Sequence, residues 1–333
     1  MELGKRIALV ILLLGLLSAC HKDYGPQAVN GGILRPDSNA VIIVNEGNFQ
    51  WGNASLGQYN PERKSYEDGL FRNANNQPLG DVLQEAHRIK NRYYLVMNGS
   101  NELVICDLNW KEISASAGIN APVHLAYWEN SIWLSDLYSP KIRQYDLDGK
   151  LLAEFNLGFS NARMFIWEKQ LHFYQGSRWK YLESVNASLR SGFSNLQDID
   201  QIITIGEGII ISYENGNVYH WPSRGGNPIP LASFQLPLSY RVVDESKDRF
   251  FSYDGDSLYV HNLQNNYARS PLIAIECENF YGLSFHAPSE SLFLFDARSF
   301  VQPHRIRRIN PNSGTVLDDF QAGALPSGLV RKW

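Results

Sequence analysis

Short runs of residues, some alternating apolar with polar and some apolar throughout, return along this chain about every 40 residues. The clearest unit is HLAYWENSIWLSDLYSPKIRQYDLDGKLLAEFNLG, from His124 to Gly158, which reads as four short strands separated by polar turns. Second strands of such units can be read as VIIVNE, YYLVMN, SIWLSD, QLHFYQ, IIISYE, RFFSYD and SLFLFD. Each closes on an acid or amide: Glu46, Asn98, Asp136, Gln175, Glu214, Asp254 and Asp296. Third strands follow, and Asn215-Gly216 and Asp254-Gly255 supply hairpin turns. Beyond the first residues no long segment holds a helical period. The pattern predicts an all-β fold, a seven-bladed β-propeller of four-stranded blades over residues 40–333.

First strands fit at EAHRIK, VHLAYW, RMFIWE, DQIITI, RVVDES and YGLSFH, with GLVRKW last. That last segment, Gly328 to Trp333, has no second strand after it, whereas residue 41 opens a second strand with no first strand before it. The two ends are therefore expected to complete one blade, removing an open sheet edge. The stretch SVNASLRSGFSNLQ alternates poorly, so a count of six or eight blades stays open.

Lys5 and Arg6, the apolar run IALVILLLGLL and then Leu17-Ser18-Ala19-Cys20 read as a lipoprotein signal peptide over residues 1–19, with Cys20 as the lipidated residue. Residues 20–39, with Gly25, Pro26, Gly31, Gly32 and Pro36, read as a flexible tether. His21-Lys22-Asp23 is similar to the surface-export signals of Bacteroides-type lipoproteins. Loss of Glu2, Lys5 and Arg6 with the leader leaves 28 basic and 33 acidic residues. That balance argues against nucleic acid as a partner. Cys106 and Cys277 fall inside strand patterns and read as buried thiols.

In a propeller, the loops joining second to third strands open on the same face as the connections between blades. On this threading that face receives EGNFQWGNAS, DLYSPK, QGSRW and ARSFVQPH. These gather Phe49, Trp51, Tyr138, Trp179 and Phe300 with Asn48, Asn53, Arg178, Arg298 and His304. Flat aromatic area beside polar groups suits a large amphipathic ligand. The terminal acids and amides have a bland role as turn caps, and Glu214 and Asp254 are read so. Glu46 and Asp136, which enter the aromatic loops, are taken as ligand contacts. His87, His124, Arg163, Asp200, Arg241, Gly282 and Gly328 share one register near the channel mouth, whose mixed charge suits either an anionic or amide-rich ligand or ordered water, with water the favoured reading for His87 and His124. No HExxH, GxSxG or Walker loop occurs, the histidines lack metal-ligand spacing, and Asp146-Leu147-Asp148-Gly149 reads as a turn. No catalytic residue, metal or cofactor is expected, although a site assembled from several blades would leave no linear motif.

Asn45-Glu46-Gly47-Asn48-Phe49 and Pro78-Leu79-Gly80-Asp81 resemble the signatures of the YncE-like surface propellers of Bacteroidetes. One branch of that family captures vitamin B12 and passes it to a TonB-dependent outer-membrane transporter. The resemblance implies a lipid-anchored outer-membrane protein at the cell surface, with a corrinoid as ligand and that transporter as partner. Two other readings compete. One is a lyase- or hydrolase-type enzyme using His87, His124 or His304 as general base; the other is a protein-binding scaffold of the cell envelope.

Overall fold

The computed structural model describes residues 39–116, 118–193, 196–231, 241–300 and 304–333. Cys20, the signal peptide and most of the tether lie outside them, as do Val301, Gln302 and Pro303 of one loop and the side chain of Arg241. Among the described residues no helix is long and apolar enough to cross a membrane.

Seven antiparallel blades of four strands stand in a ring, and a short terminal strand adds a fifth to one of the sheets. Blade I takes its innermost strand from the chain end, β28 (Pro326–Leu329), followed outward by β1 (Val41–Asn45), β2 (Ser55–Asn60) and β3 (Ser65–Asp68). Blade II comprises β4 (Leu83–Ile89), β5 (Arg92–Met97), β6 (Glu102–Cys106) and β7 (Glu112–Ser116), and blade III β8 (Pro122–Trp128), β9 (Ser131–Asp136), β10 (Lys141–Tyr145) and β11 (Leu151–Asn156). Blade IV holds β12 (Arg163–Trp167), β13 (Gln170–Gln175), β14 (Arg178–Leu182) and β15 (Arg190–Ser191). Blade V holds β16 (Ile199–Ile205), β17 (Gly208–Tyr213), β18 (Val218–Trp221) and β19 (Ile229–Pro230). Blade VI runs through β20 (Arg241–Asp244), β21 (Arg249–Tyr253), β22 (Ser257–Asn262) and β23 (Arg269–Ala274). Blade VII ends the ring with β24 (Phe280–His286), β25 (Ser291–Asp296), β26 (Arg305–Ile309) and β27 (Val316–Gln321). One short helix, α1 (Leu70–Asn75), leads from blade I to blade II.

The second strand of each blade is covered by a neighbouring blade on both faces, so it reads as a nearly unbroken apolar run; β9, β17 and β25 are buried along their whole length. The outermost strands β7, β11 and β27 alternate with solvent instead. The weak alternation after residue 182 has a structural counterpart, because β15 and β19 are only two residues long.

Apolar burial is divided into clusters, each spanning one seam between adjacent blades. Val96, Ile105, Leu125 and Leu134 join blades II and III, and Phe251, Leu258, Leu292 and Ile309 join VI and VII. At the closing seam Val41, Ile43 and Tyr59 of blade I meet Phe293, Phe295 and Ile306 of blade VII.

Ring closure follows the expected route, with one difference. The predicted strand GLVRKW divides between two blades. β28 pairs antiparallel with β1, Val330 donates its N–H to the Ile42 carbonyl, and β29 (Arg331–Lys332) then pairs parallel with β4 of blade II. The segment therefore joins the inner edges of the adjacent blades I and II. Gly282 is required where β24 approaches β28, since a Cβ there would lie 2.5 Å from the Ser327 carbonyl oxygen. Gly282→Ala should lower stability by about 1–3 kcal/mol in a thermal melt. Gly225→Ala, at a position with open space around it, should leave the melt unchanged. Equal melting of the two variants would contradict this account of closure.

Candidate functional site

The loops at the ends of the second strands do share one face with the blade-to-blade connections, because backbone bonds tie them together. Glu46 N–H donates to Leu325, Asn98 to Val82, Leu137 to Ala121 and Asn161 to Asp136, each at 2.8 Å. Val82, Ala121, Asn161 and Leu325, at or next to the entry of an inner strand, hold φ between 50° and 53°. Left-handed backbone at non-glycine residues costs about 1–3 kcal/mol each and persists only where surrounding bonds enforce it. The rim of this face is thus a strained and fixed frame.

The terminal acids and amides do not form one register. In five blades the first strand carries a bulge, and the residue skipped in the pairing is Ser327, Gln84, Val123, Asp200 or Tyr281. Counted through these bulges, the equivalent positions are Asn45, Met97, Asp136, Tyr213 and Asp296; Glu46, Asn98 and Glu214 stand one residue further out. Asp254 accepts from the Ser257 N–H and pairs with Arg269, which fits its reading as a turn residue.

The aromatic loops divide clearly. Phe49, Trp51, Tyr138 and Phe300 are 66, 55, 72 and 45% exposed. Apart from Trp333, they are the only exposed aromatic residues among the described residues. Blades I and VII bring several expected site residues together. Asn48 donates from its side chain to the Phe300 carbonyl at 3.3 Å, and Asn53 fixes Asn48 by accepting its backbone N–H at 2.8 Å. The bulge residue Tyr281 donates its hydroxyl to Glu46 at 2.7 Å and lies edge-on to Phe300, 6.1 Å between centroids. Burial raises the Glu46 carboxyl above its ordinary value, and the Tyr281 hydrogen bond opposes it.

Three expected contacts are corrected. Asp136 is fully buried and ion-paired to Arg143, which also bonds Glu154, so it stabilises blade III rather than facing the loops. Burial raises its carboxyl against the pull of Arg143. Trp179 is 4% exposed in the seam between blades IV and V, donating its indole N–H to His172 Nδ1 at 2.9 Å. His304 is buried with Nδ1 on the Ala297 carbonyl at 3.1 Å. Tyr138 and Arg178 do face outward, on blades III and IV; Arg178 bonds Gln175 and stands 5.3 Å over the Phe159 ring.

The channel holds a second cluster. Glu85 accepts from His87 Nε2 at 2.9 Å, from His124 Nδ1 at 3.1 Å and from the Leu125 N–H at 2.9 Å, with Arg331 at 3.5 Å. Burial would raise the Glu85 carboxyl, but Arg331 and the two histidines outweigh it and hold it well below the usual range. Trp333 donates its indole N–H to His87 Nδ1 at 2.9 Å, so the His87 proton sits on Nε2 and both nitrogens are committed. Burial accordingly lowers the His87 pKa. His124 is partly exposed and donates from Nδ1 to Glu85, which leaves Nε2 outside that bond. Glu85 is the residue that sequence reasoning missed. Its position two before His87, on the same side of a strand, was the available signal. Among the described residues no group of three or more His, Cys, Asp or Glu is arranged to hold a metal.

No family model and no curated protein matches this chain. Solved structures that share its fold include a functionally unknown protein from Desulfotomaculum acetoxidans DSM 771, 11% identical, covering 89% of this chain and 100% of that one with a TM-score of 0.65. A protein from Lactobacillus plantarum is 9% identical over 87% of this chain and 99% of its own, TM-score 0.64. A streptogramin B lyase is 13% identical over 74% and 86%, TM-score 0.57. At such identities the likeness establishes the propeller fold alone.

His172 gives a pH test of the correction at Trp179. Burial is the main cause that pushes its imidazole down to about 4. A depressed histidine stabilises the fold fully above its unfolded value near 6.5 and loses that contribution as pH falls towards 4. The expected loss is up to about 3 kcal/mol. Urea melts of the protein and of His172→Gln should therefore converge in stability between pH 6.5 and 4. A gap independent of pH would contradict the neutral, Trp179-bonded histidine.

Proposed function

We propose that the propeller is the capture domain of a lipid-anchored surface protein that takes a large amphipathic ligand on its loop face. The single observation that carries this reading is the placement of four exposed aromatic side chains on one rigid face, in the loops of blades I, III and VII. Solvated aromatic residues are costly unless a ligand or partner covers them, and burying one contributes about 1.5–3 kcal/mol. The Glu46–Tyr281 pair and the Asn48 amide supply hydrogen-bonding groups at the edge of this aromatic surface, with the buried Asn53 holding Asn48 in place.

A corrinoid is the ligand that the resemblance to YncE-like propellers implies. Its broad, amide-fringed ring suits flat aromatic area edged by amides. On this reading Cys20 carries the lipid, the protein sits on the outer membrane facing out, and a TonB-dependent transporter receives the ligand. Capture requires reversible burial and no bond making.

Calorimetry with cyanocobalamin tests the proposal. Saturable binding is expected, and Trp51→Ala or Tyr138→Ala should each weaken it about 10- to 100-fold, the equivalent of one lost aromatic contact. Absence of heat up to high micromolar ligand would sink the corrinoid assignment.

The Glu85–His124 pair favours a second reading, proton-transfer chemistry in the channel, where the carboxylate orients the imidazole and Nε2 acts as base. His87 and His304 do not serve it, because their ring nitrogens are committed or enclosed. Mass spectrometry of ligand recovered after incubation separates the two readings. Unchanged ligand is the result expected of capture, whereas a product that His124→Gln no longer forms would support the enzyme.

A further inference from the structure

A cleft of about 230 Å³ opens on the face opposite the loops, where β1 begins and β4 ends. Most of the residues that line it are apolar. Tyr93 and Trp110 stack with centroids 3.7 Å apart at 17° and are themselves buried, and Leu108 stands exposed beside them. Three basic side chains line the cleft, Arg88, Lys332 and His286, and among the described residues no acid does.

The charge arrangement is unusual for a resting sheet. Lys332 is the direct ladder partner of Arg88 in the parallel pairing of β29 with β4, so two cations stand side by side on one sheet face. Like charges in directly opposed positions destabilise a sheet. Neither cation forms an ion pair among the described residues, and Arg88 stands 6.0 Å over the Tyr93 ring. His286 accepts the Ser289 N–H on Nδ1 at 3.3 Å, which leaves its proton on Nε2 as a donor. Burial is the main cause that pushes this imidazole down to about 4, with Lys332 and Arg308 adding to it, so it donates as a neutral group.

Two cations with no ion pair among the described residues, a neutral N–H donor and an apolar lining specify an occupant with a charged head and an apolar body. We infer that this cleft is a second binding site, for a small amphipathic anion whose carboxylate lies between Arg88 and Lys332 and whose apolar part packs against Leu108 at the edge of the buried Tyr93–Trp110 stack. The volume admits a short acyl or aromatic chain and is below that of sites for larger ligands. An anionic membrane surface fits less well, because turns on the same face carry Glu129, Glu168, Glu207, Glu245 and Glu290. The site lies on the opposite face from the aromatic loops and does not depend on what they bind.

Calorimetry with octanoate, octanamide, inorganic phosphate and phosphatidylglycerol vesicles tests this inference. Octanoate should bind saturably and at least tenfold more tightly than octanamide or phosphate. The double variant Arg88→Gln, Lys332→Gln should lose at least tenfold in octanoate affinity. Leu108→Asp, at an exposed position where folding is not at stake, should lose a similar factor. Without ligand, Lys332→Gln should melt no lower than the parent protein, because it relieves a like-charge contact. Equal binding of octanamide, phosphate as tight as octanoate, or undiminished affinity in the double variant would each overturn the site. So would vesicle binding without octanoate binding, which would mark a membrane contact instead.

Discussion

No blade of this propeller can bury its own apolar surface, and everything else in the structure follows from that. Each sheet is a single layer, so its two apolar faces are covered only by neighbouring blades. The core is accordingly a set of seams, of which the one between blades VII and I can exist only if the ring closes. Closure is achieved by β28 pairing with β1, and β29 continues across to β4. One short segment thereby joins the inner edges of blades I and II, brings Trp333 onto His87, and sets Lys332 beside Arg88.

The repeat was legible in the sequence because burial on both faces leaves the second strands with a strong signature. SIWLSD, QLHFYQ and SLFLFD coincide with β9, β13 and β25 residue for residue. The bulges of the inner strands were not legible. A skipped residue such as Tyr281 or Gln84 has no compositional mark, and each skip displaces the apparent alignment of strand ends by one position. That is why an apparent ring of acids and amides dissolves into buried, turn-capping and loop residues.

The candidate site was legible in part for a related reason. Loop lengths and aromatic content identified Phe49, Trp51, Tyr138 and Phe300, because exposed aromatic residues in long loops leave few other roles. Trp179 and Asp136 failed because a loop-proximal residue can turn inward when a buried partner awaits it, His172 for one and Arg143 for the other. Each partner is only seven residues away on the adjacent strand of the same hairpin, but spacing alone does not tell an inward-turned side chain from an outward one. Glu85 with His87 and His124, by contrast, joins two blades through a register that only the assembled channel defines.

The two faces and the channel offer three distinct chemistries, and the central claim is that the aromatic loop face is the one that takes the captured ligand. Hydrogen–deuterium exchange of the protein with and without cyanocobalamin tests that claim most directly. Slowed exchange in residues 46–54, 137–140 and 297–300, with the channel strand at 122–128 unchanged, is the result the account predicts. Protection confined to 122–128 and 331–333, or none in the three loops, would contradict it.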